Sequence, residues 1–172
     1  MKPLKNVAAS ARQRLLDLAK KQRTDFNRVL VRYAIERFLF RLSQHPESDR
    51  FMLKGAMLFI TWPERTYRPS EDLDLLGSGA SDPASVKRLL TEICQIEEAS
   101  DGITFDTDTM TVEIVRDTGE QYQGVRIWLE TQLDGAKIPV PIDVGFGDKV
   151  YPAPSRVVFP CLLQPCALER GS

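Results

Sequence analysis

One histidine, two tryptophans and three cysteines are spread over 172 residues, and each scarcity removes a class of chemistry. The single imidazole, His45, precedes Pro46 and has no partner nearby in sequence, so it reads as a loop residue. Cys94, Cys161 and Cys166 are odd in number and lack the paired spacing of a zinc site, so they read as free thiols of a reducing compartment. No apolar run reaches the length of a membrane span, and the N-terminus lacks the apolar block of a signal peptide. The chain therefore reads as soluble and cytoplasmic, with no membrane partner. Internal repeats and low-complexity stretches are missing too.

What remains is ordinary globular material, 42% hydrophobic and 27% charged, long enough for one domain with a real core. The formal net charge of −1 conceals a division. Residues 1–45 carry eleven Lys or Arg against three Asp or Glu, a net of +8, which leaves −9 for the remainder. A basic segment in front of an acidic one suits a polyanion such as RNA, held through its phosphates. It is equally what two solvated helices with basic outer faces would carry.

The acidic part holds the most informative stretch, Phe51 to Leu76. Phe51-Met52-Leu53 reads as a short apolar strand and Ala56-Met57-Leu58-Phe59-Ile60 as the start of an apolar helix, with Lys54-Gly55-Ala56 at the turn between them. Glycine allows close backbone approach, and a helix start offers free N–H groups to phosphate. Downstream, Ser70, Asp72 and Asp74 alternate with Leu73 and Leu75. On a strand the two acids share one face and the leucines the other. A third acid, Asp143, lies in the strand-like run Ile138-Pro-Val-Pro-Ile-Asp-Val-Gly-Phe. Alone, an Asp-x-Asp pair is common on solvated loops and edges. Three carboxylates behind a glycine turn suggest a Mg²⁺ site that handles a nucleoside triphosphate, with Mn²⁺ as an alternative ion.

The order Leu53-Lys54-Gly55-Ala56, then Arg68-Pro-Ser70-Glu-Asp72-Leu-Asp74, then Ile142-Asp143-Val144 resembles the AbiEii/AbiGii-type nucleotidyltransferase toxins of the DNA polymerase β-like superfamily. The resemblance covers about residues 45–150. It implies that Asp72, Asp74 and Asp143 are catalytic metal ligands and that Lys54, Gly55, Ala56, Arg68 and Ser70 bind the nucleotide. It further implies transfer of NMP from an NTP to RNA, notably the 3′ acceptor end of tRNA, in a toxin–antitoxin or phage-defence system with an antitoxin partner. Ala56 stands where the family has a second glycine, and Met57 where it has a small or hydroxyl residue. Relatives continue into a helical C-terminal half, so the chain reads as truncated relative to the family. A shortened, non-catalytic protein of the same fold that binds RNA or an antitoxin is the alternative.

The periodicities predict an α+β fold with an N-terminal helical pair, and the resemblance implies that its core is a nucleotidyltransferase-like mixed sheet flanked by helices. Helices are expected over Val7–Gln22, from Phe26 to about Ser43 behind a Thr24 or Asp25 cap, and over Ala84–Glu97 behind Asp82-Pro83. Strands are expected at Thr109–Val115, Gln123–Leu133 and Lys137–Phe146, with turns at Asp117-Thr-Gly119 and Asp134-Gly135. The expected division is a basic helical segment 1–45, a core 46–150, and an irregular, partly mobile tail 151–172 broken by Pro152, Pro154, Pro160 and Pro165.

Overall fold

The computed structural model describes residues 6–54, 72–116, 123–147 and 159–163. Helices α1 (Val7–Gln22) and α2 (Phe26–Gln44) are followed by strands β1 (Phe51–Lys54) and β2 (Leu73–Gly77) and by helix α3 (Pro83–Cys94). Strands β3 (Thr104–Arg116), β4 (Gln123–Leu133) and β5 (Ala136–Phe146) follow, with short 3-10 turns at Ser48–Arg50 and Ala99–Asp101. The fold is α+β, a mixed sheet flanked by helices with a helical pair at its N-terminal end. Among the described residues the sheet has the order β1-β2-β5-β4-β3. β2 and β5 run parallel, and the other neighbouring pairs are antiparallel.

Local chemistry sets the helix starts. Asn6 caps α1 by accepting the Ala9 N–H at 2.9 Å. Asp25, rather than Thr24, caps α2, its carboxylate accepting the Asn27 and Arg28 N–H groups at 2.7 and 3.3 Å. Asp82 does the same for α3 through Ser85, with Pro83 in the first turn. α3 ends three residues before the expected Glu97. The Ile96 N–H turns back to the Ile93 carbonyl, and Arg41 of α2 donates to the Ile96 carbonyl at 3.0 Å, drawing the chain away from the helix axis.

β3 begins at Thr104, earlier than its alternation suggests, and its pairing with β4 is irregular between Asp106 and Thr111. There Asp106 accepts the Asp108 N–H and the Thr109 hydroxyl. This polar kink lacks the apolar alternation by which a strand is read.

One face of the sheet is covered by helices. Leu73, Leu75, Val125, Ile127, Leu129, Ile138, Val140, Ile142 and Val144 lie in a single core with Leu15, Ala34, Ile35, Phe38, Leu90 and Ile93. α2 is central, packing against α1, α3 and β5. Its Phe38, fully buried, meets Phe105 edge-on at 6.2 Å between ring centroids.

Burial on so many sides also encloses charge. Glu36, Arg37 and Arg41 of α2 are buried, as is Asp101 in the turn before β3. Asp101 answers both arginines: Arg37 Nε donates to Oδ2 at 2.9 Å, and Arg41 Nη1 to the same oxygen at 2.8 Å. Its Oδ1 accepts the Ile103 N–H, and its carbonyl accepts the Tyr33 hydroxyl. Two of the basic residues counted before position 45 are therefore spent on a buried carboxylate. Asp101→Ala leaves two buried guanidinium groups without that partner and should cost about 3–5 kcal/mol, read as a lowered denaturant midpoint at unchanged m-value.

The described segment 159–163 is irregular and docks against the helices. Phe159 is buried in the core, and the Leu162 N–H donates to Glu36 Oε1 at 2.6 Å. Pro160, within the segment, does not prevent this docking. Cys94 is free and buried, and burial pushes its thiol up to about 12. Cys161 is disulfide-bonded, against the expectation of free thiols. Three cysteines allow one disulfide and one free thiol as readily as three free thiols, so counting could not separate the two cases.

Burial raises the Glu36 carboxyl from its ordinary 4.5 to about 7, partly offset by the Leu162 N–H and by Arg37. The unfolded chain releases this proton near 4.5 and the folded chain near 7, so between those values the folded state holds the extra proton. Stability is fully present below that window and falls as pH rises through it. Equilibrium unfolding from pH 4 to 8 should show this decline in the wild type and a flatter profile in Glu36→Gln.

Candidate active site

The sheet face opposite the helices carries a row of charge. Lys54 on β1 pairs with Asp74 on β2, and Asp74 pairs with Asp143 on β5. Asp143 pairs with Arg126 on β4, and Arg126 with Glu113 on β3. Directly opposed residues share a face, so these five side chains form one line across five strands with signs +, −, −, +, −. Adjacent strands lie about 4.8 Å apart, which sets the two aspartates side by side.

The register follows from what lies beneath. Leu73 and Leu75 are buried, Asp74 between them is half-buried, and Ile142 and Val144 flank half-buried Asp143 in the same way. Asp72 precedes β2, is exposed, and by alternation belongs to the face of Asp74. The β4–β5 hairpin places Arg126. Asp134 (φ 47°) and Gly135 (φ 80°) both adopt left-handed angles, as a two-residue type I′ turn requires. Leu133 and Ala136 pair on either side of the turn, and seven residues further out on each arm Arg126 meets Asp143.

The electrostatics match this layout. The Asp74 carboxyl is pushed above its usual range, first by burial and then by the neighbouring Asp143 charge, while Lys54 pulls it back. Arg126 Nε donates to Asp143 Oδ1 at 2.8 Å and Nη2 reaches Oδ2 at 3.5 Å. That contact holds the guanidinium more firmly in its charged form. Trp128, two residues from Arg126 and on the same face, is 45% exposed.

Of the residues singled out from sequence, Lys54, Asp74 and Asp143 are brought together, with Asp72 at the end of β2. Gly55, Ala56, Arg68 and Ser70 lie outside the described residues, as do the helix expected from Ala56 and the turn at Asp117-Thr-Gly119. Arg126, Glu113 and Trp128 were missed. The signal for Arg126 was present, because the Asp134-Gly135 turn alone determines which residue opposes Asp143.

Three carboxylates, Asp72 just before β2 and half-buried Asp74 and Asp143 on adjacent strands, are hard-oxygen donors of the kind a divalent cation takes. A second cluster competes for that description. Donor atoms of His45, Glu47 and Glu92 lie within 4.8 Å of one another. His45 is thus not isolated as its sequence neighbourhood suggested, because a partner arrives from α3. Its Nδ1 accepts the Glu47 backbone N–H at 3.1 Å, so in the neutral ring Nε2 carries the proton and donates to Glu92 Oε2 at 3.1 Å. A metal on Nε2 would require the hydrogen on Nδ1, facing another donor. These contacts are those of a helix end; among the described residues the oxygens of Asp72, Asp74 and Asp143 are not gathered to that spacing.

The description "nucleotidyl transferase AbiEii toxin, type IV TA system" belongs to a family model that matches residues 37–169. The chain belongs to this family. A search among curated proteins returned no match. The AbiEii match spans β1, β2, α3 and the β3–β5 meander, and so contains the whole charged row. No helix among the described residues is long and apolar enough to cross a membrane.

Like charges held side by side are destabilising. Asp74→Asn should therefore stabilise the metal-free protein by about 0.5–1 kcal/mol, or roughly 1–4 °C in melting temperature for a chain of this size. Thermal unfolding in EDTA reads it directly.

Proposed function

We propose that this AbiEii-family protein is a Mg²⁺-dependent nucleotidyltransferase that moves NMP from an NTP to the 3′ end of an RNA, with tRNA as the acceptor class. The observation that carries the reading is the in-register pairing of Asp74 with Asp143 on parallel strands, in a chain whose family is that of nucleotidyltransferase toxins. Asp72, Asp74 and Asp143 would hold the cation. Bound there, Mg²⁺ would neutralise triphosphate charge and sharpen the electrophilicity of the α-phosphorus.

The protein's own groups divide the remaining work. Lys54, beside Asp74 on the β1 side, and Gly55 after it are assigned to the phosphates, with Ala56, Arg68 and Ser70 completing the nucleotide contacts. Asp143 takes the proton of the acceptor hydroxyl. That oxygen bonds to the α-phosphorus as the bond to the β-phosphate oxygen breaks, and pyrophosphate leaves. Trp128 offers an aromatic face on which an acceptor base can stack. An antitoxin partner and a cytoplasmic setting accompany the type IV family reading.

The test is transfer from each α-³²P-labelled NTP to total RNA, with Mg²⁺ or with EDTA. Metal-dependent labelling of a discrete RNA band, lost at least a hundred-fold in Asp72→Asn and Asp74→Asn with circular dichroism unchanged, is expected. Retained activity in either variant would sink the assignment. No transfer combined with no metal-dependent NTP binding by calorimetry would point to the non-catalytic alternative.

A further inference from the structure

The third carboxylate of the row is already engaged. Arg126 grips both oxygens of Asp143, through Nε at 2.8 Å and Nη2 at 3.5 Å, which is the fork geometry guanidinium makes with a carboxylate. The guanidinium also feels Asp72 and Glu113, so it sits as a counter-ion among the same charges that suit a divalent cation. Yet this pair is not built to be permanent. The Arg126 side chain is 46% exposed and that of Asp143 32%, and ion pairs in water are weak. The buried Arg37 and Arg41, with side chains at most 5% exposed on Asp101, show how the same protein makes a fixed one.

We propose that Arg126 is an exchangeable counter-ion: a divalent cation entering the Asp72–Asp74–Asp143 site displaces it from Asp143, and the freed guanidinium then takes a phosphate of the acceptor strand. A cation shared among three carboxylates outcompetes a monovalent group held by one, and two cations in the same small volume repel. The sheet order assigns the side. Lys54 lies beyond Asp74 on β1 and Arg126 beyond Asp143 on β4, so Arg126 flanks the site on the side away from Lys54. A planar guanidinium suits bidentate phosphate recognition there. The protein would thereby couple metal loading to acceptor binding. Arg126 is a positioning residue in this scheme, and its acceptor half rests on the transferase reading above.

Two titrations test it. Calorimetry with Mn²⁺ alone compares wild type, Arg126→Gln, Asp143→Asn and the double variant. Removing the competing charge should tighten Mn²⁺ binding about three- to ten-fold in Arg126→Gln, and the gain should vanish on the Asp143→Asn background. Equal or weaker Mn²⁺ binding in Arg126→Gln overturns the exchange. The second titration uses a fluorescent single-stranded RNA at constant ionic strength. Mn²⁺ should strengthen binding to wild type several-fold more than to Arg126→Gln, with Arg126→Lys between them. An equal metal effect in all three overturns the acceptor half. Wild type that fails to transfer NMP while keeping the Mn²⁺ pattern would discard the transferase reading and retain the exchange.

Discussion

The parallel pairing of β2 with β5 is the constraint on which the site depends. It is the one parallel junction in the described sheet, and it sets Asp74 beside Asp143. Two carboxylates in that position repel, so the pairing must be held from elsewhere. The opposite face supplies the hold: Leu73 with Ile142 and Leu75 with Val144 are fully or almost fully buried beneath the helices. Burying each such side chain is worth about 1.5–3 kcal/mol, more than the repulsion between half-exposed charges. A slip of one residue would exchange the faces, burying aspartate and exposing leucine. Hydrophobic burial on one side thus enforces charge crowding on the other.

Charge is handled in two ways in this molecule. On the wet face, Lys54 and Arg126 bracket the aspartate pair and leave it accessible. In the interior, Asp101 ties Arg37 and Arg41 to the turn before β3, with Tyr33 adding a neutral hydrogen bond. The interior network fastens α2 to the sheet's far edge and so supports the surface on which the site is built. It also changes the meaning of the basic N-terminal segment, because a sum over residues 1–45 counts buried arginines as though they faced a polyanion.

Family membership and site geometry address different questions. The match over residues 37–169 places the chain in the AbiEii nucleotidyl transferase toxin family, while the charged row is where the proposed function puts a cation and two substrates. The proposed chemistry needs little from the protein beyond crowded carboxylates, a cationic flank for phosphate on either side, and a register rigid enough to keep them aligned. An exposed arginine that can let go is consistent with a site that fills in stages.

Much was legible in the sequence by itself. Asp25 and Asp82-Pro83 announce the starts of α2 and α3, alternation announces β4 and β5, and Asp134-Gly135 announces their hairpin, because caps, period and turn chemistry are short-range effects written in neighbouring residues. The face shared by Asp72 and Asp74 is equally local, following from the two-residue repeat of a strand. What only the tertiary structure decided was adjacency. That β2 lies against β5, that Asp101 meets α2, that His45 finds Glu92 and that Phe159 reaches the core all join residues distant in sequence. Those contacts depend on how apolar faces stack to exclude water, and no local pattern encodes which face will meet which.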